Sequence, residues 1–245
     1  MRLDVYLVEN KIYDIRTRAA RAIKEGCVQV NGKVATKASE DVSFENDSII
    51  CREDPVPYVG RGALKLQFAL EKYEIDVNGL KAVDIGASTG GFTEVLLKNG
   101  IKSVACVDVG HGQLAEKIRS DPRTDVYERI DVRNFDVNEG RYDIAVTDVS
   151  FISIKLIIPH IYRLIKENGL AVMLIKPQFE AGRKNLNKKG VVKNDSLGVK
   201  IASEVAAFAV NMGFEVVGLC ESPVKGGEGN REFICVCRRK TKIDV

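Results

Sequence analysis

The chain has 245 residues, of which 45% are hydrophobic and 29% are charged. This composition allows a buried core and excludes a wholly disordered protein. The formal net charge of +3 is too small to indicate a polyanionic partner by itself. No apolar run approaches the ~18 residues that a membrane helix needs, and Asp4 lies where a secretory signal would be uniformly apolar. We therefore expect a cytoplasmic protein with no membrane partner.

The six cysteines form no C-x-x-C pair, and the chain has two histidines. Cys235 and Cys237 alternate along a predicted strand, so they share one face without the spacing of zinc ligands. Buried thiols in a reducing compartment account for this pattern. We expect neither a metal site nor a disulfide framework.

Two helices and a hairpin are predicted at the start of the chain. Leu3, Tyr6 and Leu7 have the i, i+3, i+4 spacing of a short amphipathic helix. A second helix is predicted from Arg16 to Glu25, and its basic residues are spaced to form a ridge on one side. The segment that follows, C-V-Q-V-N-G-K-V, indicates a hairpin with a two-residue Asn-Gly turn.

This succession over residues 1–51 resembles the αL RNA-binding module shared with a small-subunit ribosomal protein, the S-four type. In that family, basic residues of the second helix and the hairpin bind the RNA backbone and recognise shape more than sequence. A solvated helix face would explain the ridge alone, but the attached hairpin favours RNA binding. The resemblance implies these RNA-binding residues: Arg2, Arg16, Arg18, Arg21, Lys24 and Lys33.

Residues 52–59 are charged and interrupted by prolines, which indicates a linker before a second domain at 60–245. A helix is predicted from Gly62 to Lys72. Apolar strands separated by helical stretches then predict a parallel, doubly wound α/β sheet, with strands at 82–85, 104–107, 144–146, 171–175, 216–217 and 233–236. A short glycine-rich loop joins the last two strands, so they should pair antiparallel. The arrangement resembles the α/β, Rossmann-like fold of class I methyltransferases, preceded by the small α+β module.

A glycine-rich segment, D-I-G-A-S-T-G-G-F-T, begins at Asp84 where a strand turns into a helix. Its G-x-x-x-G-G spacing differs from the G-x-G-x-x-G of dinucleotide-binding proteins and disfavours a nicotinamide dehydrogenase. Asp108 and Asp131 follow later strands, and we expect all three carboxylates to face one crevice. The segment resembles the first motif of S-adenosylmethionine enzymes. The cofactor-binding candidates are Asp84, Gly86, Ala87, Ser88, Thr89, Gly90, Gly91, Phe92, Asp108, Asp131 and Val132.

Four ionisable residues form the candidate catalytic set: Lys65, Asp148, Lys176 and Glu232. Asp148 and Lys176 follow apolar strands, so both should lie at the crevice. Their Lys-Asp-Lys-Glu order resembles the ribose 2′-O-methyltransferases related to FtsJ. With the N-terminal module, residues 1–240 are similar to the TlyA family, sometimes labelled haemolysin-like, which methylates cytidine ribose in ribosomal RNA. The most specific stretches are R-G-A-L-K-L, D-V-S-F-I-S, K-P-Q-F-E and G-N-x-E.

A ribose 2′-hydroxyl is a weak acid, so its attack on a sulfonium methyl requires positioning and help with its proton. Lys176 is our candidate to activate or hold that oxygen, with Asp148 orienting it. Lys65 and Glu232 would position the hydroxyl and balance charge, and no metal is required. Two ordinary ion pairs are the alternative interpretation, which the placement at strand ends disfavours.

A basic segment from Arg183 to Lys193, preceded by Gly182 and containing Gly190, predicts a mobile loop that could contact RNA phosphates. A plain solvated loop is nearly as compatible with the sequence. The further RNA-binding candidates are Arg61, Arg183, Lys188 and Lys189.

Other functions make different demands on the sequence. A catalytically weak ribosome assembly factor would have lost one or more of the four ionisable residues, and all are present. A pore-forming haemolysin would need a membrane segment, and a base methyltransferase an N-P-P-Y-like or cysteine-based site. The sequence leaves open which nucleotide and which ribosomal subunit are modified, and the oligomeric state.

Overall fold

The computed structural model describes residues 1–13, 16–43, 46–51, 58–136, 139–226 and 229–241, without the side chain of Thr17. These residues form two compact units, Met1–Gly60 and Arg61–Val245. Most of the predicted linker, residues 52–57, lies outside the described residues. Its last two residues, Tyr58 and Val59, are buried.

The first unit has two helices and a three-stranded antiparallel sheet of strand order β2-β1-β3. Asn31 and Gly32 both have positive φ, at 50° and 76°, as a two-residue turn between twisted antiparallel strands requires. Apolar residues from both helices and from β1 share one buried core. The elements are α1 (Leu3–Glu9), α2 (Arg16–Lys24), β1 (Val28–Val30), β2 (Lys33–Val34) and β3 (Ile49–Cys51). The predicted helices and hairpin are thus confirmed.

A buried carboxylate ties the beginning of α1 to the beginning of α2. The side chain of Asp4 is 5% exposed and accepts hydrogen bonds from Arg2 Nε at 2.9 Å and from Arg16 Nη2 at 2.9 Å. The hydrogen bond from Arg2, with that from Arg16, lowers the pKa of Asp4 to about 2 against the opposing effect of burial. Two arginines predicted to bind RNA therefore also stabilise this unit.

The second unit contains a seven-stranded sheet of order β6-β5-β4-β7-β8-β10-β9. Only β10 runs against its neighbours, pairing antiparallel with both β8 and β9. The strands are β4 (Lys81–Ile85), β5 (Ser103–Asp108), β6 (Thr124–Glu128), β7 (Tyr142–Thr147), β8 (Ile165–Ile175), β9 (Phe214–Glu221) and β10 (Phe233–Arg239). The helices are α3 (Ala63–Lys72), α4 (Gly91–Lys98), α5 (Glu116–Arg119), α6 (Ile158–Leu164), α7 (Pro177–Glu180) and α8 (Asp195–Asn211). The predicted α/β fold with an antiparallel last pair is confirmed.

The topology creates a crevice beside β4. From β4 the chain first builds β5 and β6 on one side and then returns to place β7 on the other. Helices leave the two neighbouring strands in opposite directions at such a switch point, which opens a crevice at their carboxyl ends. The central strands β4 and β7 are almost entirely buried, which fixes the position of the loops that follow them.

Some predicted boundaries differ from the observed ones. Strand β8 begins at Ile165, six residues before the predicted start. It includes Asn168, whose φ is 61°. Helix α8 begins at Asp195, and the side chain of Asn194 caps its first turn. All six cysteines are free, and the sulfurs of Cys235 and Cys237 are 3.5 Å apart. Over the described residues, no helix is long and apolar enough to cross a membrane.

The Asp4 tie predicts a local, pH-dependent loss of stability. We expect Asp4→Asn to destabilise the first unit by about 1–3 kcal/mol at pH 7, because two guanidinium groups lose a charged acceptor. Since the folded-state pKa is depressed, the stabilisation is present above about pH 4 and is lost as the pH falls towards about 2.

Hydrogen exchange of backbone amides in residues 1–51, measured on the full chain, would report this difference. Glu9→Gln, at an exposed position of α1, is the matched control. Equal protection in the Asp4 and Glu9 variants would contradict the role given to Asp4.

Candidate active site

A cavity of about 350 Å³ lies at the carboxyl ends of β4, β5 and β7. Its wall is formed largely by the loops that follow these strands. The lining residues are Ile85, Gly86, Ser88, Val107, Asp108, Val109, Gly110, Gln113, Ile130, Asp131, Val132, Asp148, Val149, Ser150, Phe151, Ile152 and Ile157. The cavity is therefore lined by apolar side chains and by three carboxylates, those of Asp108, Asp131 and Asp148.

The turn between β4 and α4 forms one side of this cavity. Gly86, Ser88 and Gly90 all have positive φ, at 82°, 47° and 92°. A Cβ at Gly90 would lie 2.9 Å from Leu114 Cδ1, so both the backbone conformation and the packing require glycine there. The turn thus brings its backbone to the cavity while α4 begins directly behind it at Gly91.

Two aspartates predicted to bind a cofactor line the cavity. Asp108, at the end of β5, accepts hydrogen bonds from the backbone amides of Ser88 at 2.8 Å and Gly110 at 2.7 Å. Asp131 caps a short 3₁₀ turn and pairs with Arg133, whose hydrogen bond lowers the pKa of Asp131. Both carboxylates are therefore held in place by neighbouring groups.

Asp84 has a different environment from the one we expected. It is 1% exposed, does not line the cavity, and accepts a hydrogen bond from Thr93 Oγ1 at 2.7 Å. Because successive residues of a strand point to opposite faces, Ile85 rather than Asp84 lines the cavity. Burial raises the pKa of Asp84 to about 7. In the structure Asp84 therefore contacts α4 and does not line this cavity, and its role in cofactor binding stays a prediction.

The other predicted cofactor residues divide into two groups. Gly86, Ser88 and Val132 belong to the cavity wall. Five others do not line this cavity: Ala87, Thr89, Gly90, Gly91 and Phe92. Several other lining residues lie in segments without a periodic pattern and could not be predicted from the sequence, notably Gly110, Gln113, Val149 and Ile157.

The four candidate catalytic side chains form a continuous chain of ion pairs. Lys176 Nζ lies 2.7 Å from Asp148 Oδ1, Asp148 Oδ2 lies 3.5 Å from Lys65 Nζ, and Lys65 Nζ donates to Glu232 Oε2 at 2.5 Å. Burial lowers the pKa of Lys65, but the carboxylates of Asp148 and Glu232 outweigh it, so that this pKa is raised. Both lysines together lower the pKa of Asp148 against its burial. Lys65 is therefore a stable cation within the chain.

Small residues allow this close approach of charges. A Cβ at Gly62, the residue before α3, would lie 3.2 Å from Asp148 Oδ2, and a Cβ at Gly226 would collide with Glu232 Oε1. Gly62, three residues before Lys65, and Gly226, six residues before Glu232, thus have a packing reason to be glycine. Glu232 is 3% exposed and immediately precedes β10.

Two residues that sequence reasoning did not single out lie beside Lys176. Ser150 Oγ accepts a hydrogen bond from Lys176 Nζ at 2.7 Å. Phe151 is 91% exposed, lines the cavity and has φ 65°. Its ring centroid is 5.2 Å from that of Phe179. An exposed aromatic ring is thus held next to the ion-pair chain, and the D-V-S-F motif was the available signal.

The basic segment 183–193, predicted as a mobile loop, forms hydrogen bonds within itself and with Asn230. Leu186 and Val192 form an isolated β-bridge, and Asn187 Oδ1 accepts from the amides of Lys189 and Val191. The buried side chain of Asn230 joins this segment to the residues before β10, through the amide of Val192 and the carbonyl of Gly190. Arg183, Lys188 and Lys189 remain exposed. Arg61 is also exposed and donates to the carbonyl of Lys225 at 3.2 Å.

The remaining RNA-binding candidates belong to the first unit. Arg18 lies over the Tyr13 ring at 5.6 Å, and Arg21 donates to the carbonyl of Tyr58 at 3.4 Å. Lys24 and Lys33 are exposed. Within the described ranges, no group of three or more His, Cys, Asp or Glu side chains is placed to hold a metal ion.

Comparison with known proteins places both units. Residues 58–240 match the model of the FtsJ-like methyltransferase family, and residues 1–49 match the S4 domain. The Mycobacterium tuberculosis 16S/23S rRNA (cytidine-2′-O)-methyltransferase TlyA is 38% identical over 242 residues, which is 98% of this chain and 90% of that protein.

Solved structures agree with this assignment. A chain from Streptococcus thermophilus that carries the hemolysin label is 38% identical, with a TM-score of 0.77 over 98% of this chain and 88% of that one. An S-adenosylmethionine-dependent methyltransferase from Listeria monocytogenes, at 15% identity and a TM-score of 0.57, covers 74% of this chain and 99% of its own, and shows the shared fold alone.

These matches cover nearly the whole chain and include the segments that carry the ion-pair chain and the glycine turn. The order of the units, S4 domain first and methyltransferase domain second, agrees with the resemblance stated from the sequence. The chain therefore belongs to the FtsJ-like methyltransferase family and, within it, to the TlyA-type enzymes that carry an N-terminal S4 domain.

Proposed function

We propose that this methyltransferase transfers the methyl group of S-adenosylmethionine to the 2′-hydroxyl of a cytidine ribose in ribosomal RNA. The observation that carries the proposal is the chain of ion pairs Lys176–Asp148–Lys65–Glu232 at the edge of the cavity. Relatives named as rRNA (cytidine-2′-O)-methyltransferases support the choice of substrate.

The cavity lining fits a cationic nucleoside cofactor. Three aspartates line it, and none of the described lining residues is basic. A cofactor with a pyrophosphate would be repelled, whereas a sulfonium would be attracted. Asp108 and Asp131 would accept hydrogen bonds from the ribose and the adenine amine, and Ile130, Val132 and Ile157 would contact the adenine ring. When bound, S-adenosylmethionine supplies an electrophilic methyl group.

Lys176 would hold the attacking oxygen. An ammonium group has three donors; that of Lys176 donates to Ser150 Oγ and forms an ion pair with Asp148 Oδ1 at 2.7 Å. The third is available to the ribose 2′-oxygen. In the transfer, the bond from that oxygen to the methyl carbon would form as the carbon–sulfur bond of the sulfonium breaks. Lys176 and Asp148 would keep their charges and hold the oxygen, and the hydroxyl proton would leave to solvent water. Correct positioning of the oxygen accounts for much of the rate enhancement.

Lys65 and Glu232 would stabilise the charged form of Asp148 and hold it in position beside Lys176. Asp148 forms ion pairs with both Lys65 and Lys176, which lower its pKa and favour its carboxylate form. Glu232 neutralises the second lysine, which prevents two adjacent ammonium groups from repelling each other. The exposed ring of Phe151 can stack on the base of the target nucleotide.

The S4 domain and the exposed lysines of segment 183–193 would hold the RNA. Backbone contacts of this type recognise shape and position rather than sequence. Asn230, two residues before Glu232 in the sequence, bonds to Gly190 and Val192, so this segment lies beside the residues that lead to Glu232. The intact ribosomal subunit is the substrate that we expect to engage both RNA-binding regions.

Removal of the Lys176 ammonium should abolish the reaction without preventing cofactor binding. We expect Lys176→Ala to lower kcat by about 10²–10⁴-fold. Transfer of labelled methyl to ribosomal subunits, followed by mass spectrometry of the nucleosides, measures both rate and product. Lys166→Ala removes an ion pair at the opposite end of β8 and should leave the rate unchanged. A methylated base as the product, or full activity of the Lys176 variant, would overturn the proposal.

Asp108 should govern cofactor affinity. We expect Asp108→Ala to weaken binding of S-adenosylmethionine by about 10- to 100-fold, since a charged acceptor is lost. Isothermal titration calorimetry measures this directly. Asp125→Ala, at an exposed position of the neighbouring edge strand β6, is the control. Unchanged affinity of the Asp108 variant would exclude this residue from the cofactor site.

The lysines of segment 183–193 should affect RNA binding and not the chemical step. The double variant Lys188→Ala/Lys189→Ala should raise KM for ribosomal RNA and reduce the slope of log affinity against log salt by about one per lost phosphate contact. Lys200→Ala, an exposed lysine on α8, serves as the control. If kcat falls while KM and the salt slope stay constant, these lysines do not bind RNA phosphates.

A further inference from the structure

A carboxylate outside the ion-pair chain connects the two loops that carry it. Glu180, the last residue of α7, accepts hydrogen bonds from Ser153 Oγ at 2.6 Å and from the amide of Ile154 at 2.7 Å. Lys176 lies four residues before Glu180, and Asp148 lies five residues before Ser153. The two hydrogen bonds therefore join the segment that provides the lysine to the segment that provides its acceptors.

Helix α7 has little stability of its own. It contains four residues, and Lys176 is its N-terminal cap. Two backbone hydrogen bonds hold it, from Phe179 to the carbonyl of Lys176 and from Ala181 to that of Pro177. One turn of helix is not stable without external contacts, because its nucleation is unfavourable. The orientation of Lys176 thus depends on what α7 is fastened to.

The conformation of the loop after β7, which contains Ser150 and Phe151, also depends on contacts outside the loop. Phe151 has φ 65°, a conformation that a non-glycine residue keeps only where its surroundings impose it. The contact of its ring with Phe179 is a second link between the same two segments. Glu180 holds the chain two and three residues beyond Phe151. Both links therefore constrain the loop that contains Asp148, Ser150 and Phe151.

We infer that Glu180 is a positioning residue for methyl transfer, which sets the geometry of Lys176 against Asp148 and Ser150 through its bonds to Ser153 and Ile154. The inference rests on the proposed function and deepens the account of the same site. Glu180 does not line the cavity, so its effect is exerted through the other residues.

Three substitutions test the inference. Glu180→Ala removes both hydrogen bonds, and Ser153→Ala removes one. Glu180→Gln keeps them, since the amide oxygen can accept from Ile154 while the amide nitrogen donates to Ser153 Oγ. Glu167→Ala, an exposed position on β8, is the matched control.

We expect Glu180→Ala to lower kcat by about 10- to 100-fold, as for a misplacement of about 1 Å at a catalytic group. The dissociation constant of S-adenosylmethionine and the Tm should stay near those of the Glu167 control. Ser153→Ala should have a smaller effect of the same kind, and Glu180→Gln should restore most of the activity. Unchanged kcat in Glu180→Ala, or equal losses in the Ala and Gln variants, would overturn the inference.

A second measurement does not depend on the reaction. The Lys176 side chain is 10% exposed, so its acylation by a lysine-directed reagent should be slow in the wild-type protein. Mass spectrometry of the Lys176 peptide should show faster acylation in Glu180→Ala and the wild-type rate in Glu180→Gln. An unchanged acylation rate in Glu180→Ala would refute the positioning role even if the enzyme methylates another atom. Conversely, a base-methylated product with faster acylation would refute only the proposed function.

Discussion

The buried chain of two ammonium and two carboxylate groups is the interaction on which the rest of the active site depends. Moving a charge out of water is costly unless its partners lie within a few ångströms, and loss of one partner leaves another charge unpaired. The four side chains come from four separate segments: α3, the end of β7, the end of β8 and the start of β10. The same ion pairs therefore stabilise this part of the fold and align the reacting groups.

The sequence predicted this part of the site because one rule applies to it. Parallel strands end at the same edge of a sheet, so the polar residues that follow apolar strands, such as Asp148 and Lys176, meet there. Asp84, one residue before the strand end, is buried and does not line the cavity, so the rule did not give the position of its side chain. Ser150 and Gln113 could not be found in this way, since loops have no hydrophobic period that indicates direction. The bonds of Arg2 and Arg16 to Asp4 likewise depend on how α1 and α2 pack.

Segment 183–193 illustrates a second limit of sequence reasoning. Its glycines and charges are typical of a mobile loop, yet the buried amide of Asn230, about 40 residues away along the chain, fixes its backbone. The backbone is thereby fastened while the lysine side chains stay in solvent. Such an arrangement reduces the entropy lost when the segment binds a polyanion. The hydrogen-bonded main chain and the exposed lysine side chains therefore both favour binding of a polyanion.

The reversed direction of β10 has a consequence for how such enzymes diversify. Because this strand runs against its neighbours, its beginning rather than its end lies at the catalytic edge, and the connection from β9 to β10 opens there too. Insertions at exposed positions of this connection, such as Pro223, cost little free energy, whereas Gly226 and Asn230 are buried. New contacts to a different RNA can therefore evolve in the β9–β10 connection while the four ion-paired side chains stay unchanged.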